Sequence, residues 1–170
     1  MNIRPSCIVF AALVIFPSLS WVSPDVMALD FSQARVTQVI QDVKVLPSGA
    51  AARPAAVNET VQKGSAVQTG LKSRSELTFQ DQTITRLGEK TIFTVGGGAR
   101  TIELGSGQFL LYVPKNAGGA KVKMGSVTAA ITGTTVLGNV QPNGIVEFTV
   151  LEGTANVRLE SVGQCLPRNS

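Results

Sequence analysis

The stretch Glu76-Leu77-Thr78-Phe79-Gln80 sets two large apolar side chains between three polar ones. That is the period-2 pattern of a strand with one face buried and the other wet. Working outward, the same alternation recurs: Phe109, Leu111 and Val113 against Gln108, Leu110 and Tyr112, then Val127, Ala129 and Ile131 against Ser126, Thr128 and Ala130. It returns in Val146, Phe148 and Val150 against Glu147 and Thr149, and in Ala155, Val157 and Leu159 against Asn156, Arg158 and Glu160. From Ala34 onward no window of helical length keeps an apolar stripe at 3.6 spacing, while short runs rich in Val, Thr and Ile abound. The reading is all-β, with about eleven or twelve short strands, and it argues against βαβ architectures and helical bundles.

Turn residues punctuate these runs. Gln141-Pro142-Asn143-Gly144 offers a preset φ at Pro142 and a Gly suited to positive φ, and Glu152-Gly153 sits between two alternating runs; both are expected to be hairpin turns. Gly96-Gly97-Gly98 and Asn116-Ala117-Gly118-Gly119 are expected to be loops, and residues 47–58, rich in Ala and Pro, a longer irregular excursion. Gly105-Ser106-Gly107 starts like a dinucleotide-binding fingerprint. It lacks the third Gly, where Leu110 stands, and has no strand-to-helix context, so it is expected to be a turn.

The N-terminal end reads as an address. Arg4 is followed by an almost wholly apolar run from Cys7 to Leu19, before polar and turn-forming residues return at Ser20, Ser23 and Pro24. This is the order of a secretory signal peptide. Small residues stand at cleavage spacing in both Val26-Met27-Ala28 and Ser18-Leu19-Ser20, and the cut after Ala28 is favoured. The 16 residues from Cys7 to Val22 are interrupted by Pro17 and fall short of the roughly 20 a membrane-spanning helix needs. The expected organisation is a signal peptide at 1–28, a short linker at 29–33, a β domain at 34–160 and a flexible tail at 161–170. No stable membrane span is expected after cleavage.

Composition narrows the function. The 170 residues include 15 Lys+Arg, 11 Asp+Glu, 2 Cys and no His. Cutting after Ala28 removes Arg4 and Asp25, so 14 basic and 10 acidic residues remain and the net charge stays +4. Without His there is no Ser-His-Asp or Cys-His machinery and no common imidazole metal ligand. Cys165 is left alone, so no intramolecular disulfide can form, and it has no partner base. Asp30, Asp42, Asp81 and seven Glu are scattered without the clustering a zinc or calcium site requires. Glu147 and Glu152 are the nearest pair for glycosidase chemistry and read more simply as solvated charges. Neither catalysis nor a cofactor nor a metal is expected. The mature chain keeps one Tyr, five Phe and no Trp, and most of these Phe fall on the apolar phase of strands, so no nucleic-acid stacking platform is expected.

Four cations stand out: Lys72, Arg74, Arg86 and Lys90. Arg74 and Arg86 fall on strands joined through the turn at Asp81-Gln82 and can share a face as a small positive patch for a partner. Glu76, two residues from Arg74 on the same side of its strand, makes an ion-paired surface ladder the competing reading.

The stretch GSAVQTGLKSRSELTFQD at 64–81, continuing through ITRLGEKTIF at 84–93, resembles the FecR domain family. The matching positions are Thr69-Gly70, Ser73-Arg74, Glu76-Leu77, Phe79, Asp81, Leu87-Gly88 and Thr91. Farther on, Leu104 to Val113 resembles the family's Gly-bearing strand, Thr128 to Gly133-Thr134 its run toward Gly-Thr, and Val150 to Gly153 its late strand-to-turn segment. The resemblance covers about 34–160. It implies a twisted, solenoid-like stack of short antiparallel strands and hairpins. Regulatory members of the family join such a domain, placed in the periplasm, to a membrane helix and a cytoplasmic anti-sigma segment.

This sequence departs from that plan, with no anti-sigma segment ahead of its apolar run and no receptor-contacting domain after Glu160. What carries over is an exported module, periplasmic or secreted, that contacts an unknown envelope protein in sensing or signalling. An acidic polysaccharide or another anionic surface is the alternative ligand, and self-association through edge strands is open. Thr69, Gly70, Ser73, Arg74, Glu76, Leu77, Phe79, Asp81, Leu87, Gly88, Gly133, Thr134 and Gly153 are expected to be chiefly architectural. Leu77 and Phe79 would fill the core, Asp81 would cap its turn, and Gly70 and Gly88 would close strands at positive φ. Gln82, where the family often has Gly, is expected to loosen its turn.

Overall fold

A computed structural model describes residues 32–96, 98 and 100–160. The expected signal peptide, residues 29–31 of the linker, Cys165 and the 161–170 tail lie outside the described residues. The described chain is all strand and belongs to one sheet. In chain order the strands are β1 (Gln33–Ile40), β2 (Val43–Leu46), β3 (Arg53–Pro54), β4 (Thr60–Gln62), β5 (Ala66–Thr69) and β6 (Arg74–Phe79). They continue as β7 (Ile84–Leu87), β8 (Ile92–Val95), β9 (Thr101–Tyr112), β10 (Ala120–Met124), β11 (Val127–Val140) and β12 (Val146–Leu159). The short β3 lies in the excursion at 47–58 and pairs with β2.

β9 is the hub. Its first half pairs with β8 on one side and, in parallel, with β10 on the other; its second half pairs antiparallel with β7 and β11. The remaining pairings are antiparallel, and the strands run β3-β2-β5-β8-β9-β7-β6-β1-β4, with β10, β11 and β12 branching from β9. The sheet curls on itself. Arg100, just before β9, donates from Nε to the carbonyl of Gly119, because the chain that leaves β9 returns to the strand's start and pairs there as β10.

The curl encloses the core, and the alternating residues of β6, β9 and β11 fill it as the sequence predicts, whereas the two rows expected to face inward on β12 are not buried: Val146, Phe148 and Ala155 are half-buried, and Val150, Val157 and Leu159 are exposed. Leu77, Phe79, Leu87, Phe93, Phe109, Leu111, Val122, Met124, Ala129, Ile131 and Val136 are buried. Phe93 on β8 and Phe109 on β9 meet at the centre with ring centroids 6.3 Å apart and planes tilted by 56°. That arrangement suits the aromatic quadrupoles better than a stacked sandwich.

Two expected turns are not turns. Glu152-Gly153 lies inside the continuous strand β12, and Gly105-Ser106-Gly107 lies inside β9. Both are bulges. In β9, Ile92 of β8 faces Ser106 while Phe93 faces Leu104, so one residue is extra. The buried set accordingly changes phase, from Ile102 and Leu104 to Phe109 and Leu111. β11 shifts register against β12 between Thr132 and Val136, beside Gly133 at φ 58° and Gly153 at φ 90°. Its buried residues move from Val127, Ala129 and Ile131 to Thr134, Val136 and Val140. An extra residue raises local twist, and bulges at these positions help the long strands bend around the core. The hairpin at Gln141 to Gly144 forms as expected, with Gly144 at φ 84° and its N–H donating to the Gln141 carbonyl.

Candidate functional site

Two turns lie side by side at one end of the sheet: residues 70–73, from β5 to β6, and residues 88–91, from β7 to β8. Buried Thr69 knits them together. Its hydroxyl donates to the Gly88 carbonyl at 2.6 Å and accepts from the Thr91 N–H at 2.9 Å. The Lys90 N–H reaches the Gly70 carbonyl at 3.0 Å, and the Lys72 N–H reaches Glu89 Oε2 at 2.9 Å. Ser73, also buried, donates to the Leu71 carbonyl and accepts from the Asp42 N–H. Thr91 extends the network to β9, donating to the Gln108 carbonyl and accepting from the Gln108 N–H, both at 3.1 Å.

The two signature glycines sit here for a different reason than expected. Neither Gly70 nor Gly88 has positive φ. A Cβ on Gly70 would stand 2.9 Å from Asp42 Oδ2, and one on Gly88 would stand 2.4 Å from Gln108 Cγ. Both neighbours are side chains, so a Cβ at either place requires Asp42 or Gln108 to swing aside, and Gly lets them pack close to the turns. The positive φ angles fall instead on Lys72 at 53° and Lys90 at 52°, the tips of the two turns. Gln82 likewise takes φ 66°, so its turn stays tight: Phe79 and Thr83 remain bridged at 2.9 Å, and the residue bears the strain that a Gly would avoid.

Beside the turns opens a shallow groove of about 450 Å³, lined by Ile40, Lys72, Arg74, Glu89 and Gln108 among others. Lys90 is exposed on the adjoining turn. Arg86 shares the face of β6 and β7 with Arg74, because Arg86 lies opposite Glu76. It does not serve the groove. Its Nε donates to Glu76 Oε2 at 2.7 Å, and Thr37 donates to Glu76 Oε1 at 2.9 Å. The four-cation patch therefore divides into an ion-paired ladder at Arg86, a groove edge at Lys72 and Arg74 with Glu89 beside them, and Lys90 exposed on the adjoining turn. Ile40 and Glu89 were not singled out by sequence; a turn acid between Gly88 and Lys90 was the available signal for Glu89.

The hydrogen bond from Arg86, opposed by burial and helped by Thr37, holds the Glu76 carboxyl below the usual 4.5. A depressed carboxylate stabilises the fold above its ordinary value and loses that contribution as pH falls through its folded one. Glu76→Gln is expected to melt below the wild type at pH 7. The gap should narrow as the pH is taken down below the usual carboxylate range and through the depressed folded value. A gap independent of pH, followed by circular dichroism, would show that the Glu76 charge contributes nothing.

Other signature residues make contacts within the fold. Asp81 caps its turn, accepting from the Thr83 N–H and hydroxyl at 3.0 Å each. It also holds Arg100, a partner that sequence reasoning missed, at 2.6 Å. Thr134, buried beside Gly133, donates to the Thr132 and Thr154 carbonyls, and a Cβ on Gly153 would lie 2.7 Å from the Gly133 carbonyl. These three residues fix the double bulge of β11 and β12. Among the described residues no cluster of three acidic or Cys side chains could hold a metal, and no helix is long and apolar enough to cross a membrane.

A family model described as FecR protein matches residues 65–156, more than half of the chain. The match begins at the Ser65 that leads into β5 and ends within β12, so β1 to β4 precede it while pairing into the same sheet. No curated protein and no solved structure matches.

Proposed function

The chain belongs to the FecR family, and from that membership we propose that it is an exported, non-catalytic module of the bacterial cell envelope that takes part in sensing by binding another envelope protein at the groove between its two knitted turns. The observation that carries the reading is the division of labour in the signature. Thr69, Gly70, Ser73, Gly88 and Thr91 are all spent on holding the turns, and what they present outward is Lys72, Arg74 and Lys90 around an open groove. A rigid base carrying exposed side chains of mixed charge suits a polypeptide surface, because complementary charges set orientation and rate of encounter. An acidic polysaccharide is less well supported, since Arg86 is engaged by Glu76 and Glu89 sits among the remaining cations.

The test is photo-crosslinking in the cell of origin. Photoreactive residues at Arg74 and Gln108 are expected to capture the same single envelope protein, and a probe at exposed Gln82, on the β6–β7 turn at the opposite end of β6 from Arg74, is expected to capture none. Capture of no protein from Arg74 and Gln108, or of this chain alone, would overturn the proposal.

A further inference from the structure

β12 is a 14-residue strand hydrogen-bonded only to β11 among the described residues. Long bare edges are rare in folded proteins, because unpaired N–H and C=O groups template another strand. This edge also exposes apolar side chains. Leu151 is 58%, Val157 49% and Leu159 78% exposed, although Ala129 and Val127, opposite the last two on β11, are buried. The core-facing row therefore ends in residues half out of it, as though one more strand were due.

We propose that the missing strand is β12 of a second copy, paired antiparallel about a two-fold axis between Glu152 and Gly153. Two features of β12 select this occupant. The first is phase. Its core-facing residues are Val146, Phe148 and Val150 before the bulge and Ala155, Val157 and Leu159 after it. A regular strand laid along this edge loses step at Gly153, whereas a second β12 brings the same bulge to the same place. The second is complementarity. In this register Val146 faces Leu159, Phe148 faces Val157 and Val150 faces Ala155, each twice. On the other face Glu147 meets Arg158, also twice.

Moving the register by two residues in one direction puts Glu147 opposite Glu160, and in the other it leaves Arg158 opposite Ile145. A shift of one residue sets apolar against polar along the whole strand. Among the described residues, Glu147 receives only amide donors, from Asn139 and Gln141, and Arg158 has no acidic partner. Both charges are thus available to a second chain. The groove comes within two strands of this edge, since Gln108 lies opposite Asn139 and Asn139 opposite Glu147, but the inference rests on the edge alone and does not depend on what the groove binds.

Sedimentation equilibrium of the mature chain is expected to show a dimer at about 100 µM, above the micromolar Kd expected for a modest interface. Arg158→Glu alone, or Glu147→Arg alone, is expected to weaken dimerisation about tenfold or more. Combining the two substitutions in one chain should restore it to within about threefold. In a Cys165→Ser background, chains carrying Val150→Cys mixed with chains carrying Ala155→Cys should form a disulfide-linked dimer on oxidation, and neither variant should do so alone. A monomer at about 100 µM, a swap that fails to rescue, or a cross-link formed by either variant alone would overturn the proposal.

Discussion

Replacing Asp81 by Ala is expected to lower the unfolding free energy by about 3–5 kcal/mol, the usual consequence of removing one partner from a buried ion pair. Asp81 and Arg100 side chains are only 4% and 11% exposed, so water offers little compensation once the carboxylate is gone. Arg100 is fixed on its other side by the Gly119 carbonyl and has φ 52°, a conformation a non-Gly residue holds only when its surroundings insist. The pair therefore joins three segments distant in sequence: the β6–β7 turn, the loop before β9 and the loop before β10. Asp81→Asn keeps an acceptor for Thr83 but loses the charge, and should fall between wild type and Ala. Removing Arg100 as well, as Arg100→Met on top of Asp81→Ala, should add less than its own single effect, because the two act as one unit. Denaturant melts of the wild type, Asp81→Ala, Asp81→Asn, Arg100→Met and the double variant measure this directly. A loss below about 1 kcal/mol for Asp81→Ala would mean that the pair is screened like a surface bridge.

Strand content was legible because a half-buried sheet imposes period 2 on its residues, and Leu77, Phe79, Phe109, Leu111, Val127, Ala129 and Ile131 obey it without exception. Two strands differing in phase and parted by a Gly look the same in sequence whether the chain reverses there or only bulges. That is why Glu152-Gly153 reads as a hairpin in the sequence. The distinguishing signal lay in the facing stretch, where the apolar residues change phase at Gly133, as they must if a bulge in β12 is matched in β11. Gly70 and Gly88 were placed correctly at turns, but their cause was not legible: a contact with Asp42 or Gln108 depends on which elements are neighbours. The same holds for the groove. Lys72 and Arg74 could be seen as nearby cations, whereas the loss of Arg86 to Glu76 follows from the β6–β7 register, and the Arg100 partner of Asp81 from the curl that brings the β6–β7 turn to the start of β9.

The second large effect belongs to Gly107, whose replacement by Ala is expected to cost about 3 kcal/mol or more. Two penalties combine. Gly107 has φ 79°, where an L side chain is strained by roughly 1–2 kcal/mol. A Cβ there would lie 2.4 Å from Thr91 Oγ1, 2.6 Å from Thr91 Cα and 2.7 Å from the Lys90 carbonyl oxygen. Two of these three are backbone atoms that no rotamer change can move aside, so overpacking adds about 1–3 kcal/mol. The displaced Thr91 also carries both hydrogen bonds to Gln108, so the damage reaches the groove and the point where β9 changes partners from β8 to β7. Gly144→Ala is the control. It has nearly the same φ, 84°, but nothing within 4 Å of its Cβ, so only the conformational penalty of roughly 1–2 kcal/mol remains. The difference between the two melts isolates the close approach of β9 to the 88–91 turn. Equal losses would mean that the turn gives way freely, and a turn that gives way could not hold Lys90 and Glu89 in fixed positions for a partner.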